Sequence, residues 1–210
     1  KELGICIVDI GAGTMDIAVF TGGALRHTAV IPVAGNQVTS DIAKIFRTPL
    51  SHAEDIKVQY ACALRQMVSM EENIEVPSVG GRPARSMSRH TLAEVVEPRY
   101  HELFELIQEE IRECGLEDQI AAGYVLTGGT AKMEGVVEFA EEVFQMPVRV
   151  AQPKDICGLK EYVNDPTYAT VVGLLHYGMQ ASEQTTNETK PSEGVASVGA
   201  RVLAWFKGEF

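Results

Sequence analysis

The chain has 210 residues, 45% of them hydrophobic, an ordinary globular composition with enough apolar material for one sizeable core or two small ones. Its 18 Lys and Arg against 29 Asp and Glu give a formal charge of −11, which repels phosphate backbones and excludes nucleic acid as a main partner. No apolar run approaches the roughly 20 residues that cross a bilayer, no signal peptide opens the chain, and Cys6, Cys62, Cys114 and Cys157 lack CxxC spacing, as expected of reduced structural thiols.

In chain order, Ile5 to Ile10 and Asp16 to Phe20 are β-branched runs joined by the turn Gly11-Ala12-Gly13-Thr14-Met15. A second turn, Thr21-Gly22-Gly23, leads to a third run from Ala24 to Pro32, so the opening reads as an antiparallel meander. A strand pattern that starts at Leu3 without an initiating Met is what a fragment of a longer protein would show. From Val38 the period changes to that of a helix, with Val38, Ile42, Ile45 and Phe46 on one face and Asn36, Thr39 or Ser40 as cap. Ser51 and Glu54 form a capping box that predicts a second helix running to about Leu64 or Met67. Asn73 to Pro77 and Ala84 to Arg89 read as short strands. Leu92 to Ile111 carries a helical period that Pro98 divides, predicting a short helix to Glu97 and a longer one with Pro98 near its first position.

After Gly115, Ala122 to Leu126 reads as a buried strand entering Thr127-Gly128-Gly129-Thr130-Ala131, followed by a helix from Met133 to Phe144, a strand from Pro147 to Val150 and a helix from Pro166 to Met179. Residues 181–194 are polar and predict a disordered linker. On a wheel of about 100° per residue, Val195, Val198, Val202, Leu203, Trp205, Phe206 and Phe210 fall within roughly 160°, with Arg201 and Lys207 outside. Such a face, carrying the chain's single Trp after a polar tether, suits an amphipathic helix over 195–210 lying on an anionic membrane surface; docking on its own domain or on a partner is the alternative.

Asp9 stands at a strand end, and Gly11 and Gly13 leave room for backbone N–H groups to approach a bulky anion. An acid beside phosphate makes sense with Mg²⁺ between them, held by Asp9 through water, with Thr14 adding a hydroxyl donor. Gly128-Gly129-Thr130 repeats the logic, a hydrophobic strand running into a double glycine and then a helix. Either turn alone is a weak signal; the ordered pair is strong.

Val8-Asp9-Ile10-Gly11-Ala12-Gly13-Thr14-Met15-Asp16 and Leu126-Thr127-Gly128-Gly129-Thr130 resemble the second phosphate motif and the adenosine motif of the actin, Hsp70 and sugar-kinase superfamily. Within it, the stretches 14–18, 35–43, 76–83 and 173–178 resemble the FtsA family of bacterial cell-division actin homologues, and the likeness covers essentially the whole chain. The resemblance implies an α/β, ribonuclease H-like lobe of the actin type: a larger subdomain from residues 1–35 and 122–180, and a smaller inserted one from 36–121. It implies ATP with Mg²⁺ against Asp9, Gly11, Ala12, Gly13, Thr14, Gly128, Gly129 and Thr130, and Glu54 and Lys57 near ribose and adenine. On the residues alone, Glu54 and Lys57 are an exposed i,i+3 pair worth about a few tenths of a kcal/mol. The family's first phosphate loop is absent from the sequence.

Arg82, Arg85, Arg89 and Arg99 make a local basic patch in an acidic chain. By the same resemblance, Arg85 and Arg99 match contacts to the acidic C-terminal tail of the tubulin-like FtsZ, whereas on the residues alone such arginines can solvate a strand edge. The implied function is a self-polymerising adaptor that tethers FtsZ filaments to the cytoplasmic face of the bacterial inner membrane at the division site and recruits later division proteins. The tail residues Val198, Val202, Leu203, Trp205 and Phe206 would touch the membrane. A phosphotransfer enzyme of the same superfold, or a pilus-assembly relative, is the rival reading.

Overall fold

A computed structural model describes residues 3–80, 82–154 and 163–188. The chain divides into two compact units, Lys1–Thr170 and Val171–Phe210.

In the first unit, the β-branched runs form β1 (Ile5–Ile10), β2 (Met15–Thr21) and β3 (Ala24–Ile31), paired antiparallel as the meander pattern predicts. The apolar strands β6 (Tyr124–Thr127) and β7 (Val148–Val150) complete a five-stranded sheet in the order β3-β2-β1-β6-β7. β1 and β6 run parallel with Asp9 opposite Thr127, so the chain leaves both strands at the same edge of the sheet. That register delivers the Gly11 and Gly128 turns side by side. Cys6, Val8 and Ile10 alternate into the core along β1, and burial pushes the Cys6 thiol up to about 12, which keeps it protonated.

Between β3 and β6 lie α1 (Gly35–Phe46), α2 (Leu50–Tyr60), the hairpin β4 (Asn73–Val76) with β5 (Arg85–Ser88), and α3 (Arg89–Glu113). Their buried residues, among them Ile42, Phe46, Val96, Phe104 and Ile107, join the sheet's in one continuous core. α4 (Val136–Phe144) covers the sheet at β7, with Phe144 stacked on Tyr124 at 4.1 Å between ring centroids.

Several boundaries differ from the expectation, each for a physical reason. α1 has no side-chain cap: its first residue follows Ala34, and the amides of Gly35 and Asn36 donate instead to the carbonyls of Gly11 and Ala12. The Ser51–Glu54 capping box does not form either, because α2 begins one residue earlier, after Pro49, and the Glu54 carboxylate turns toward Lys57 and Thr39. α2 ends at Tyr60, where the chain straightens so that Cys62 bridges Glu134 and the Ala63 amide reaches the Glu134 carbonyl at 2.8 Å.

α3 is one helix of 25 residues with Pro98 inside it, capped by Ser88, which accepts from the His90 amide. A proline within a helix costs about 3 kcal/mol. Breaking the helix there would divide a stripe that buries Leu92 and Val96 before Pro98 and Tyr100, Leu103, Phe104, Ile107 and Ile111 after it. At about 1.5–3 kcal/mol for each large apolar side chain, continuity outweighs the defect.

The last described helix, α5 (Ala169–Glu188), follows a 3₁₀ turn over Pro166–Tyr168 and runs nine residues beyond the predicted end at Met179, into the segment expected as linker. Extending an existing helix adds a hydrogen bond per residue without a new nucleus. In the second unit it exposes Val171, Leu174, Leu175, Tyr177 and Met179. The amphipathic segment 195–210, with Val198, Val202, Leu203, Trp205 and Phe206, lies outside the described residues. No helix among the described residues is long and apolar enough to cross a membrane.

Candidate functional site

The two glycine turns meet. Gly128 takes φ +89, and a Cβ there would lie 2.3 Å from Asp9 Oδ1 and 2.4 Å from the Ile10 carbonyl oxygen, so only glycine lets the second turn close over the end of β1. Next to it the Thr130 hydroxyl donates to the Gly11 carbonyl at 2.7 Å. The same carbonyl accepts the Gly35 amide at 3.2 Å, and a Cβ on Gly35 would fall 2.3 Å from Thr130 Oγ1. Two donors from distant parts of the sequence, Gly35 and Thr130, thus share one acceptor.

The first turn closes through the Gly11 amide and the Thr14 carbonyl at 3.0 Å. Ala12, Gly13 and Thr14 are exposed, and a Cβ on Gly13 would meet no atom within 4 Å. Among the described residues neither the Ala12 nor the Gly13 amide donates to a protein acceptor, which leaves two backbone donors without a protein partner in an exposed turn. The Thr14 hydroxyl donates to Asp16 at 3.1 Å. Asp9 is half-buried, and one of its carboxylate oxygens accepts from the Thr170 hydroxyl.

The 128–130 turn is held from behind as well. Its Gly128 amide donates to the Pro166 carbonyl at 3.2 Å, and Lys132 pairs with Asp165 at 2.5 Å. That Lys132 bond, joined by the Thr167 amide, holds the Asp165 carboxyl at about 2, well below its ordinary value. A cavity of about 400 Å³ lies just past this turn, lined by Ala131 to Met133, the start of α4 and Asp165–Pro166 and not by Gly128, Gly129 or Thr130.

Glu54 and Lys57 reach the same place through the backbone. Lys57 is 8% exposed, and its ammonium donates to the Gly35 carbonyl at 3.3 Å and Thr39 Oγ1 at 2.9 Å while pairing with Glu54 at 2.8 Å. Desolvation raises the Glu54 carboxyl, but the bonds from Lys57 and Thr39 outweigh it and leave the group below its usual range. Lys57 is therefore a buried tie between α2 and the first turn of α1, while Glu54 stays exposed as the residues alone suggest.

The arginines separate by role. Arg89 joins Glu72 at 2.8 Å and Glu134 at 2.5 Å and donates to the Tyr60 carbonyl, which makes it a structural clamp. Arg99 is bound to Asp41 at 2.6 Å and to Glu102, and the Asp41 bond raises its pKa. Arg85 is exposed and donates to the Phe46 carbonyl at the end of α1. With Arg47 and Arg82 it lines a cavity of about 270 Å³ whose other walls are Ser78, Val79 and Pro83.

Sequence reasoning passed over Gly35, Thr170 and Arg47, and offered Thr39 only as a helix cap. Gly35 carried a usable signal, a glycine opening a helix with no capping side chain before it; the others acquire partners only through the tertiary fold.

The family profile described as Cell division protein FtsA matches residues 6–173. Cell division protein FtsA of Pseudomonas aeruginosa is 56% identical over 216 residues, a match covering 100% of this chain and 52% of that protein. The chain thus spans about half the length of that relative. MreB 5 of Spiroplasma citri, solved bound to AMPPNP, superposes with a TM-score of 0.64 at 20% identity, covering 89% of this chain and 56% of that one. The MamK double helical filament gives 0.63, also at 20% identity, covering 83% and 54%. The profile match takes in both glycine turns and everything between them, and with the fold shared with these actin-like proteins it settles the kinship: the chain belongs to the FtsA family of cell-division proteins and has an actin-like fold.

Proposed function

We propose that the joined glycine turns are one wall of an ATP site, and that the full-length protein uses the nucleotide to organise a membrane-bound division filament. The observation that carries this is the Thr130–Gly11–Gly35 junction, which brings the exposed Ala12 and Gly13, whose amides have no protein acceptor among the described residues, and the Asp9 carboxylate together with the second glycine turn at the same end of β1 and β6. Strand ends at one edge of an α/β sheet are where such ligands bind. The solved MreB 5 carries AMPPNP, which supports the same use here.

In this reading Ala12 and Gly13 donate their amides to a phosphate, Thr14 adds its hydroxyl, and Gly128, Gly129 and Thr130 form the surface under the nucleoside. Asp9 suits Mg²⁺ held through water, since the ion favours one or two carboxylates plus phosphate oxygens over an all-protein cage. Among the described residues no group of three or more His, Cys, Asp or Glu forms such a cage. When bound, the ion would supply positive charge between the carboxylate and the phosphate oxygens. Glu54 and Lys57 hold α2 and α1 in register behind the ribose and adenine.

The remaining half of the protein would supply the opposite wall, and residues 36–121 act as a smaller subdomain inserted into the larger one. The groove at Arg85, with Arg47 and Arg82 beside an apolar floor of Val79 and Pro83, fits an acidic peptide, and we assign it to the FtsZ C-terminal tail. Arg99 lends charge from a position fixed by Asp41. Self-association follows the precedent of MamK, a filament of the same fold. Residues 195–210 anchor the assembly to the cytoplasmic face of the inner membrane at the division site, where later division proteins join.

Calorimetric titration of Mg-ATP into the full-length protein tests the core of this. Saturable one-site binding is expected, weakened at least tenfold by Asp9→Ala with the fold intact. No binding by the unmodified protein would overturn it.

A further inference from the structure

The core-facing stripe of α3 holds a single polar side-chain atom. Leu92, Val96, Leu103, Phe104, Ile107 and Ile111 present only carbon, whereas Tyr100, wholly buried among them, brings a phenol hydroxyl. A hydroxyl buried without a partner is disfavoured strongly enough that its bond reveals what the residue does. That bond leaves the helix: the hydroxyl donates to the Thr130 carbonyl at 2.9 Å.

Thr130 is the residue whose own hydroxyl donates to the Gly11 carbonyl at 2.7 Å. A chain of hydrogen bonds therefore runs from the middle of α3 through the second glycine turn to the first. The turn it grips is a 3₁₀ segment of four residues, Gly129–Lys132, with no side-chain cap at Gly128, and 3₁₀ hydrogen bonds have poorer geometry than α-helical ones. It needs an outside hold. α3 can provide one because it is itself anchored beside Tyr100, where Arg99 binds Asp41 of α1 at 2.6 Å. Burial, with a smaller contribution from the Glu54 carboxylate, raises the phenol's pKa, so the group stays a donor.

We propose that Tyr100 is a positioning residue for nucleotide binding. Through the Thr130 carbonyl it fixes the 128–130 turn against Gly11, and so sets the surface that a nucleoside di- or triphosphate meets. The proposal rests on the reading of this wall as a nucleotide site. The ring alone would fill the core as well, so Tyr100→Phe isolates the bond.

The test is titration of Mg-ATP and Mg-ADP into the full-length protein, unmodified and carrying Tyr100→Phe, Thr130→Val or both, alongside thermal melting. Tyr100→Phe should weaken both nucleotides about tenfold at unchanged stoichiometry and unchanged helix content. The double variant should bind no more weakly than Thr130→Val, because the two groups act in series. Unchanged affinity in Tyr100→Phe, even with a lowered melting temperature, would reduce the bond to a structural one and overturn the proposal, as would additive losses in the double variant. Failure of the unmodified protein to bind either nucleotide would instead bring down the reading of the wall itself.

Discussion

The wall at the ends of β1 and β6 and the arginine-bearing segment 82–99 are built from different material. At the wall the working groups are backbone: the Gly11 carbonyl taken by Thr130 and Gly35, the amides of Ala12 and Gly13, and a Gly128 that tolerates no Cβ. In the arginine segment the working groups are long side chains, and two of the four candidates are already committed, Arg89 to Glu72 and Glu134, Arg99 to Asp41 and Glu102. A backbone site leaves its mark in the sequence as glycine, because the constraint falls on the residue itself. A side-chain site leaves only a charge, whose partner the fold chooses.

The strongest way to break this comparison lies within the wall. Gly128→Val should destabilise the protein by about 3–5 kcal/mol, since it forces a branched side chain to φ +89 and into Asp9 and Ile10. Gly13→Ala, with nothing within 4 Å of its Cβ, should leave stability within about 0.5 kcal/mol while lowering Mg-ATP affinity in the full-length protein. Urea denaturation and calorimetry on the pair check both statements. Equal loss of stability in the two variants would mean that the first turn is merely another tight turn.

The contrast also explains what could be read beforehand. Ile5 to Ile10 and Ala122 to Leu126 announced themselves as strands through their β-branched and apolar runs, and the glycines that follow each marked the two turns that meet. The continuity of α3 was hidden, because Pro98 is a local signal and the stripe that overrides it is paid back only in the assembled core. The start of α1 was hidden for a similar reason: its cap is the carbonyl pair of Gly11 and Ala12, far off in sequence. Lys57 looked exposed on helical spacing, and only the Gly35 carbonyl and Thr39 turn it inward.

A smaller effect should separate the arginines. Arg89→Ala removes a side chain only 15% exposed and leaves Glu72, Glu134 and the Tyr60 carbonyl without it, so about 1–3 kcal/mol of stability should be lost. Arg85→Ala should cost no more than about 0.5 kcal/mol and act on binding of an acidic peptide, measured by fluorescence anisotropy. A stability loss at Arg85 matching that at Arg89 would erase the distinction between clamp and contact.

The smallest effect concerns the ion pair behind the second turn, where a side chain supports the backbone wall. Asp165 has its carboxyl lowered to about 2 by Lys132 and the Thr167 amide, against an ordinary value of 3.8. A group with a depressed folded-state pKa contributes stability above its unfolded value and loses it as the pH falls through the folded one. The contribution should therefore be full above about pH 4 and fade toward pH 2, with solvent screening keeping it small. Asp165→Asn should remove this component, so that the stability difference between the variants shrinks as acid is added. A difference independent of pH over that range would show that Asp165 acts through packing and its cap on Thr167 alone, and that the wall stands without electrostatic support.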